Sequence, residues 1–444
     1  MNRRPRTVRT LVLASLACLA LPACSARVGD DGGGTDAADA SAGSASTADC
    51  EGYDPAPGVT DDTISIGASL PVTGPLAAAG TERFGWQAYF DHVNANGGVD
   101  GRQLEFTVLD DGYDPAKTAQ NVRQLTTQDN VFALAGVLGT APVLSYLDDT
   151  QAACIPNLMV ATGAPVFAQE KYDWTVAALP TYSAEAAVLA DYATSSGITS
   201  VALLAQNDDF GKSYTDAFTA ELEGSGIEVV DTETFEVSDP TVDAQVSKLA
   251  SSGADAVLVA ALGTKCVQIM NGIQAADWQP EILAGALCTT RSLLDTMDAE
   301  AKQDMVSTQW YKNPSDPQWA DDEAMTTYRE ALAEYAPEAD PNEDFVLNAW
   351  ISAQVFVQLL EDAPELTRAG LMGAARNADV HVDTMLDGID FTTGADDYAP
   401  IESMQPTRFD PAAGIFRAID PATGEFLAAG QTSVVSFEGT SVPR

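Results

Sequence analysis

From Thr60 onward, short β-branched and apolar runs alternate with stretches whose apolar positions recur every three to four residues. Residues 63–69 (TISIGAS) read as a strand and 80–96 as an amphipathic helix. A glycine-rich turn at 97–101 leads into a strand over 104–109 (LEFTVL), and a helix follows over 116–128. Two further runs, 131–138 (VFALAGVL) and 155–160, are apolar along nearly their whole length. Such strands are covered on both faces, which predicts a parallel sheet under helices. The pattern pauses at an extended segment, 174–179, that ends at Pro180, and then restarts. A helix over 184–194 precedes strands at 201–205, 227–234, 257–261 and 281–284, with helices starting near Gly211, Thr241 and Lys265. A strand over 306–311 leads to helices over 319–334, 344–361 and 366–376. Short strand-like segments near Ile389 and over 404–408 and 415–419 close the chain. The expected fold class is α/β, with two doubly wound lobes built on mainly parallel sheets.

The N-terminus departs from this pattern. Arg3, Arg4, Arg6 and Arg9 precede an apolar run over 11–21. That run is shorter than the roughly 20 residues needed to span a bilayer. It reads as the core of a signal peptide, residues 1–24. The run ends in Leu21-Pro22-Ala23-Cys24, which resembles the bacterial lipobox, so Cys24 is the expected lipidation site. The alternative is an ordinary secretory signal cleaved near Ala26. Residues 25–59 form an expected flexible tether, rich in Gly, Ala, Ser, Thr and Asp and poor in large apolar side chains until about Tyr53. No other stretch is apolar and long enough to cross a membrane. The remainder has the composition of a packed protein, with 45% hydrophobic and 20% charged residues over the chain. A net charge of -43 argues against nucleic acid as a partner. Membrane association is therefore expected through the lipid anchor alone.

Cys50, Cys154, Cys266 and Cys288 are an even set in a chain expected to be exported, which favours disulfides. Cys266 and Cys288 each fall just after neighbouring predicted strands, which favours a Cys266–Cys288 bridge. Cys50–Cys154 remains by elimination and would pin the tether to the first lobe. A zinc site is the weaker reading: the short Cys-Cys spacing is missing, and His92 and His381 lie far from all four. Neither a metal nor a cofactor is expected.

In open α/β sheets, ligands bind beyond the carboxyl ends of the strands. The 131–138 run ends in Gly139-Thr140-Ala141-Pro142, and the 155–160 run in Ala161-Thr162-Gly163-Ala164-Pro165. In both, Thr and Pro suit the start of a helix. Two helix N-termini would thus turn unpaired N–H groups toward one crevice, a site for a carboxylate or carbonyl oxygen. The alternative is that these residues only cap helices.

Eight segments together carry a resemblance. They are ISIGASLPVTGPLAAAG (64–80), HVNANGGVDGRQLEFTVLDDGYDP (92–115), AGVLGTAP (135–142), IPNLMVATGAP (155–165), AQNDDFGKSY (205–214), SDPTVDAQVSKLASSGADAVL (238–258), YKNPSDPQW (311–319) and DYAPIESMQPTRFD (397–410). In this order and spacing the chain resembles the leucine/isoleucine/valine-type substrate-binding proteins of ABC importers, with the type I periplasmic-binding-protein fold. The resemblance implies three hinge crossings, near Pro180, Tyr311 and Phe391. The first lobe would hold 60–180 and 312–390, and the second 181–311 and 391–444. It also implies a monomer that captures a small-molecule solute by hinge closure and delivers it to an ABC-importer permease. The chain would be exported and lipid-anchored at the outer face of the cytoplasmic membrane or in the periplasm. Thr140, Ala161 and Gly163 match positions that hold an amino acid's carboxylate, with Gly139 and Thr162 beside them. Phe210 matches an aromatic contact. Tyr311 and Phe345 are further candidates, and Thr73 and Gly74 would line the floor or rim.

The chain also departs from that family. Its amino-acid binders place an acid for the α-ammonium in the loop where this chain has Gly285-Ala286-Leu287-Cys288, with Leu287 at the acid's position. A neighbouring tyrosine is replaced near Leu262, and an aromatic by Ala79. An ammonium buried without a partner is strongly disfavoured. Leu262 and Leu287 therefore shift the expected ligand from leucine-like amino acids toward aromatic or aliphatic carboxylates and amides, unless Asp208 or Asp209 substitutes. Catalysis is not expected: the nucleophile-elbow, phosphate-loop and zinc-protease motifs are missing from the sequence. A ligand sensor that signals through a separate membrane receptor is the other reading of the same fold.

Overall fold

The computed structural model describes Cys50 and residues 55–436. The expected signal peptide, Cys24 and most of the expected tether lie outside the described residues. The first sheet holds β1 (Thr63–Leu70), β2 (Gln103–Asp110), β3 (Ala133–Ala135), β4 (Asn157–Val160) and β5 (Thr175–Ala177), in spatial order β2-β1-β3-β4-β5. All its pairings are parallel. The second sheet repeats this winding with β6 (Ser200–Gln206), β7 (Glu228–Phe235), β8 (Ala256–Ala260), β9 (Glu281–Ala284) and β10 (Met305–Gln309), in order β7-β6-β8-β9-β10. A hairpin of β11 (Asp379–Val380) and β12 (Phe391–Thr392) stands apart. The second sheet is then extended by β13 (Ser403–Asp410), β14 (Ile415–Ala418) and β15 (Val435–Ser436), all antiparallel.

Burial follows position in the sheet. All residues of β3, β4 and β8 are buried, as central strands between helix layers must be. The edge strand β7 alternates exposed and half-buried positions, and Glu228, Asp231 and Glu233 on it discourage pairing with another chain.

The crossover helices are α1 (Glu82–Ala95), α2 (Pro115–Thr127), α3 (Thr140–Leu144) and α4 (Leu147–Ala152) in the first lobe. The second lobe has α5 (Tyr182–Ser195), α6 (Asp209–Glu221), α7 (Asp243–Ser252), α8 (Thr264–Ala275) and α9 (Arg291–Leu294). After β10 come α10 (Glu323–Tyr335), α11 (Asp344–Asp362) and α12 (Arg368–Ala375). Side chains of Asp114, Thr181, Asp208, Asp322 and Thr367 accept backbone N–H groups at helix starts, which sets where those helices begin. Helices α10 and α11 return to the first lobe and pack on α1. Gly85 permits that approach, because a Cβ there would sit 2.1 Å from the Val346 carbonyl oxygen. Trp86, Phe90, Phe106 and Phe356 form an aromatic cluster in this layer. The chain thus passes between the lobes three times: after β5, after β10 and after β12.

Some expectations are corrected. The run 131–138 is not one strand: only β3 forms, because Gly136 adopts φ 74° and breaks the ladder beneath Trp86. Ile389 lies in the turn between β11 and β12, buried but unpaired in a ladder. Both expected disulfides are formed, Cys50–Cys154 and Cys266–Cys288. Among the described residues, no helix is long and apolar enough to cross a membrane.

Candidate functional site

The carboxyl ends of both sheets face one cavity. Its empty space, counting the open solvent at its mouth, is about 620 Å³. Every strand of the first sheet contributes from its exit loop: Leu76, Ala79 and Glu82 after β1, Tyr113 after β2, Gly139 and Thr140 after β3, Ala161 after β4 and Leu179 after β5. The second lobe adds Phe210 after β6, Leu262 and Gly263 after β8, and Leu287 after β9. Phe345 and Asn348 of α11 complete the wall. Gly263, at φ 55°, lets the lobes touch: a Cβ there would lie 2.4 Å from Leu76 of the other lobe.

The walls are mostly aliphatic, and the polar groups are few and placed. Thr162 Oγ1 lies 2.7 Å from Thr140 Oγ1 and donates to Tyr182 Oη at 3.3 Å, while the Ala164 N–H donates back to it. The backbone N–H groups of Thr140, Ala141 and Gly163 meet no acceptor among the described residues. Gly163 must be glycine, since a Cβ would meet the Pro180 carbonyl oxygen at 2.2 Å. The two predicted helices are only the five-residue α3 and a 3₁₀ turn, Pro165–Phe167. Attraction for an oxygen at this corner therefore comes from individual N–H groups and not from a long helix dipole.

Tyr113 is held at φ 65° by its N–H bond to Asp111 Oδ1, with Ser69 and Thr118 donating to the other carboxyl oxygen. Its ring covers Gly139, and its hydroxyl lies toward Gln206 and Asp208 of the second lobe. Phe210 packs edge-on against Tyr182 at 5.2 Å and Tyr214 at 5.3 Å. Behind the wall, Glu185 accepts the Ala286 N–H at 2.6 Å, the Thr308 hydroxyl at 3.0 Å and the Tyr214 hydroxyl, and so fixes the loop that carries Leu287. The Cys266–Cys288 disulfide joins the Leu262 and Leu287 loops.

Of the sequence-predicted residues, Gly139, Thr140, Ala161, Phe210, Leu262, Leu287 and Phe345 line the cavity. Thr162 and Gly163 are buried and off its lining, and Thr162 orients Thr140. Tyr311 lies instead in an adjoining recess, donating to Asp344 Oδ1 at 2.8 Å. Thr73 and Gly74 are exposed outside the cavity, where Thr73 bonds to Asp110. Asp208 and Asp209 do not line it either: Asp208 caps α6, and Asp209 is exposed.

Sequence reasoning missed Glu82, Tyr113, Tyr182 and Asn348. Glu82 carried no distinguishing signal, since an acid in a helix's first turn is ordinary. In the structure its side chain is 5% exposed, and burial pushes its carboxyl well above the usual range. The cavity therefore has an acid after all, supplied by the first lobe and not by the Leu287 loop.

A second polar contact ties the lobes at the rim. Asp344 and Glu343, beginning α11, accept the N–H groups of Arg291 at 2.9 Å and Ser292 at 3.0 Å. Burial pushes Glu343 up to about 7, helped by the Asp344 charge, and Asp344 up to about 6.

The chain matches the periplasmic binding protein family over residues 63–414. It is 26% identical over 233 residues to Leu/Ile/Val-binding protein homolog 3 of Brucella melitensis, covering 50% of this chain and 61% of that protein. The fatty acid ABC transporter substrate-binding protein of Thermomonospora curvata superposes with a TM-score of 0.70 at 24% identity, covering 84% of this chain and 96% of its own. The branched-chain amino acid transporter substrate binding protein of Streptococcus pneumoniae, solved with isoleucine, gives 0.69 at 20% identity, covering 84% and 100%. At such identities the two structures establish the shared fold. With two like-wound lobes, three crossings and a cavity between strand ends, the chain belongs to the periplasmic binding protein family, a family of substrate-binding proteins and not of enzymes.

Proposed function

We propose that this chain is the exported, lipid-anchored receptor of an ABC importer for a small organic solute with an apolar body and a carboxylate or carbonyl head. The supporting observation is the pairing of apolar walls with the unpartnered N–H group of Thr140 on the lining, next to those of Ala141 and Gly163, which lie beside the cavity and not on its lining. The head accepts those N–H groups, and the body lies among Leu76, Leu262, Leu287, Phe210 and Phe345. Burying 100 Å² of such a body is worth about 2.5 kcal/mol. Closure of the lobes removes the solute from water, and the closed form is what a permease would recognise. Cys24 would carry the anchor, and the tether would let the lobes reach the permease. The solutes named for relatives span branched-chain amino acids and fatty acids, so an aliphatic or aromatic carboxylate, amide or amino-acid-like solute fits this chain.

A thermal-shift screen of protein starting at Ser25, against aliphatic and aromatic carboxylates, amides and amino acids, tests the reading. A solute at ~100 times its dissociation constant adds ~2.7 kcal/mol and raises Tm by a few degrees. Thr140→Val, which removes the hydroxyl and disturbs the loop's N–H groups, should weaken the shift. Absence of any shift across the panel would refute the solute class. Uptake of the identified solute should fail in cells lacking the protein; intact uptake would favour the sensor reading.

A further inference from the structure

Glu82 stands apart from the other buried acids among the described residues. Asp111, Glu185, Glu343, Asp344 and Asp410 each accept hydrogen bonds from protein donors. Glu82 accepts none among the described residues, although its side chain is equally buried and lines the interlobe cavity. Among the described residues, no lysine, arginine or histidine lines that cavity. The lining that Glu82 shares is mostly apolar, Ala78, Ala79, Leu138 and Phe345 among it, with Asn348, Thr140 and the tyrosines Tyr113 and Tyr182 as its polar members. A carboxyl retained in apolar surroundings without a donor weakens the fold and does nothing structural in return.

We propose that Glu82 is the specificity-determining residue of this site, and that it selects a solute bearing a hydrogen-bond donor, an ammonium or a hydroxyl. The proposal rests on the solute-capture reading and narrows it. The bound molecule presents an acceptor to the N–H groups of Thr140, Ala141 and Gly163 and a donor to Glu82, with its apolar part between. A solute without the donor leaves the carboxyl desolvated and unpaired, and is rejected on that account. The carboxyl thus comes from the first lobe, ahead of α1, while the loop position for an ammonium-binding acid holds Leu287.

Two matched series test this on the exported chain by calorimetric titration. One compares leucine, 2-hydroxy-4-methylpentanoate and 4-methylpentanoate, with the donor beside the carboxylate. The other compares 6-aminohexanoate, 6-hydroxyhexanoate and hexanoate, with the donor at the far end. In at least one series, a donor-bearing probe should bind about tenfold tighter or more than the bare carboxylate. Glu82→Met should erase that ratio. Glu82→Gln should keep it for a hydroxyl and lose it for an ammonium, which tells the two donors apart. The ligand-free Glu82→Met protein should melt a few degrees higher than wild type, because an unpaired acid has gone. Binding with an unchanged ratio in Glu82→Met, or a lower melting point of its ligand-free form, overturns the proposal. If no probe binds wild type while Glu82→Met melts higher, the solute classes fall and the unpaired ligand-facing carboxyl stands. If no probe binds and Glu82→Met melts lower, both fall.

Discussion

The acid pair at the rim makes stability depend on pH in a calculable direction. Glu343 titrates near 7 in the folded protein against 4.5 for an ordinary glutamate, and Asp344 near 6 against 3.8. Both shifts arise first from burial at the start of α11, and the two carboxylates repel each other. Between about pH 4 and 7 the folded chain therefore holds more protons than the unfolded chain. Stability falls as pH rises through that window and levels off above it. At ~1.4 kcal/mol per pH unit, and with their mutual repulsion counted once, the pair contributes on the order of 4 kcal/mol. Urea unfolding at pH 5 and pH 8 reads the difference. The overall charge of -43 acts in the same direction, so the comparison that isolates the pair is Glu343→Gln/Asp344→Asn. That variant retains acceptors for the Arg291 and Ser292 N–H groups but does not titrate. Its stability should change less between the two pH values, by a few kcal/mol. An unchanged slope would refute the reasoning. Because the pair bridges the lobes, closure takes up protons, and solute affinity should rise from pH 8 to 6.

Two further outcomes follow from the fold. The Cys50–Cys154 bridge spans 104 residues and Cys266–Cys288 spans 22; by chain entropy they are worth about 4.7 and about 3.4 kcal/mol. Paired serine replacements should show that order in urea unfolding. Loss of Cys266–Cys288 should also weaken solute binding, because it frees the Leu262 and Leu287 loops. Gly163→Ala, whose Cβ would collide with the Pro180 carbonyl, should lower both Tm and affinity. Gly373→Ala, in open space within α12, should instead stabilise by about 0.5–1 kcal/mol, as a melting curve would show.

The fold was largely legible because its signals are local. Apolar strands such as the one read over 257–261 and the helical periods over 116–128 and 184–194 are written in consecutive residues. The break at Gly136 was not legible, since a glycine within an apolar run announces a kink only once Trp86 is seen above it. The strand-exit loops at 139–140 and 161–163 were found from position alone, because ligand sites lie at carboxyl ends of strands. Thr73 and Gly74 follow the same rule by sequence, yet their loop turns outward to bond Asp110.

By itself, then, the sequence determined the alternation of strands and helices, the double winding and the two loops that offer N–H groups, and it favoured the cysteine pairing that the structure has. These depend on periodicity, capping and the chain's local order. Only the tertiary structure decided which side chains share the cavity and which polar groups lack partners. Leu76 and Gly263, 187 residues apart by number, meet only because two lobes close on each other. Glu82 is indistinguishable from any first-turn acid until the aliphatic walls around it are in place. Partnership is a property of three-dimensional surroundings, and among the buried carboxyls of the described residues the one that accepts no hydrogen bond lines the interlobe cavity.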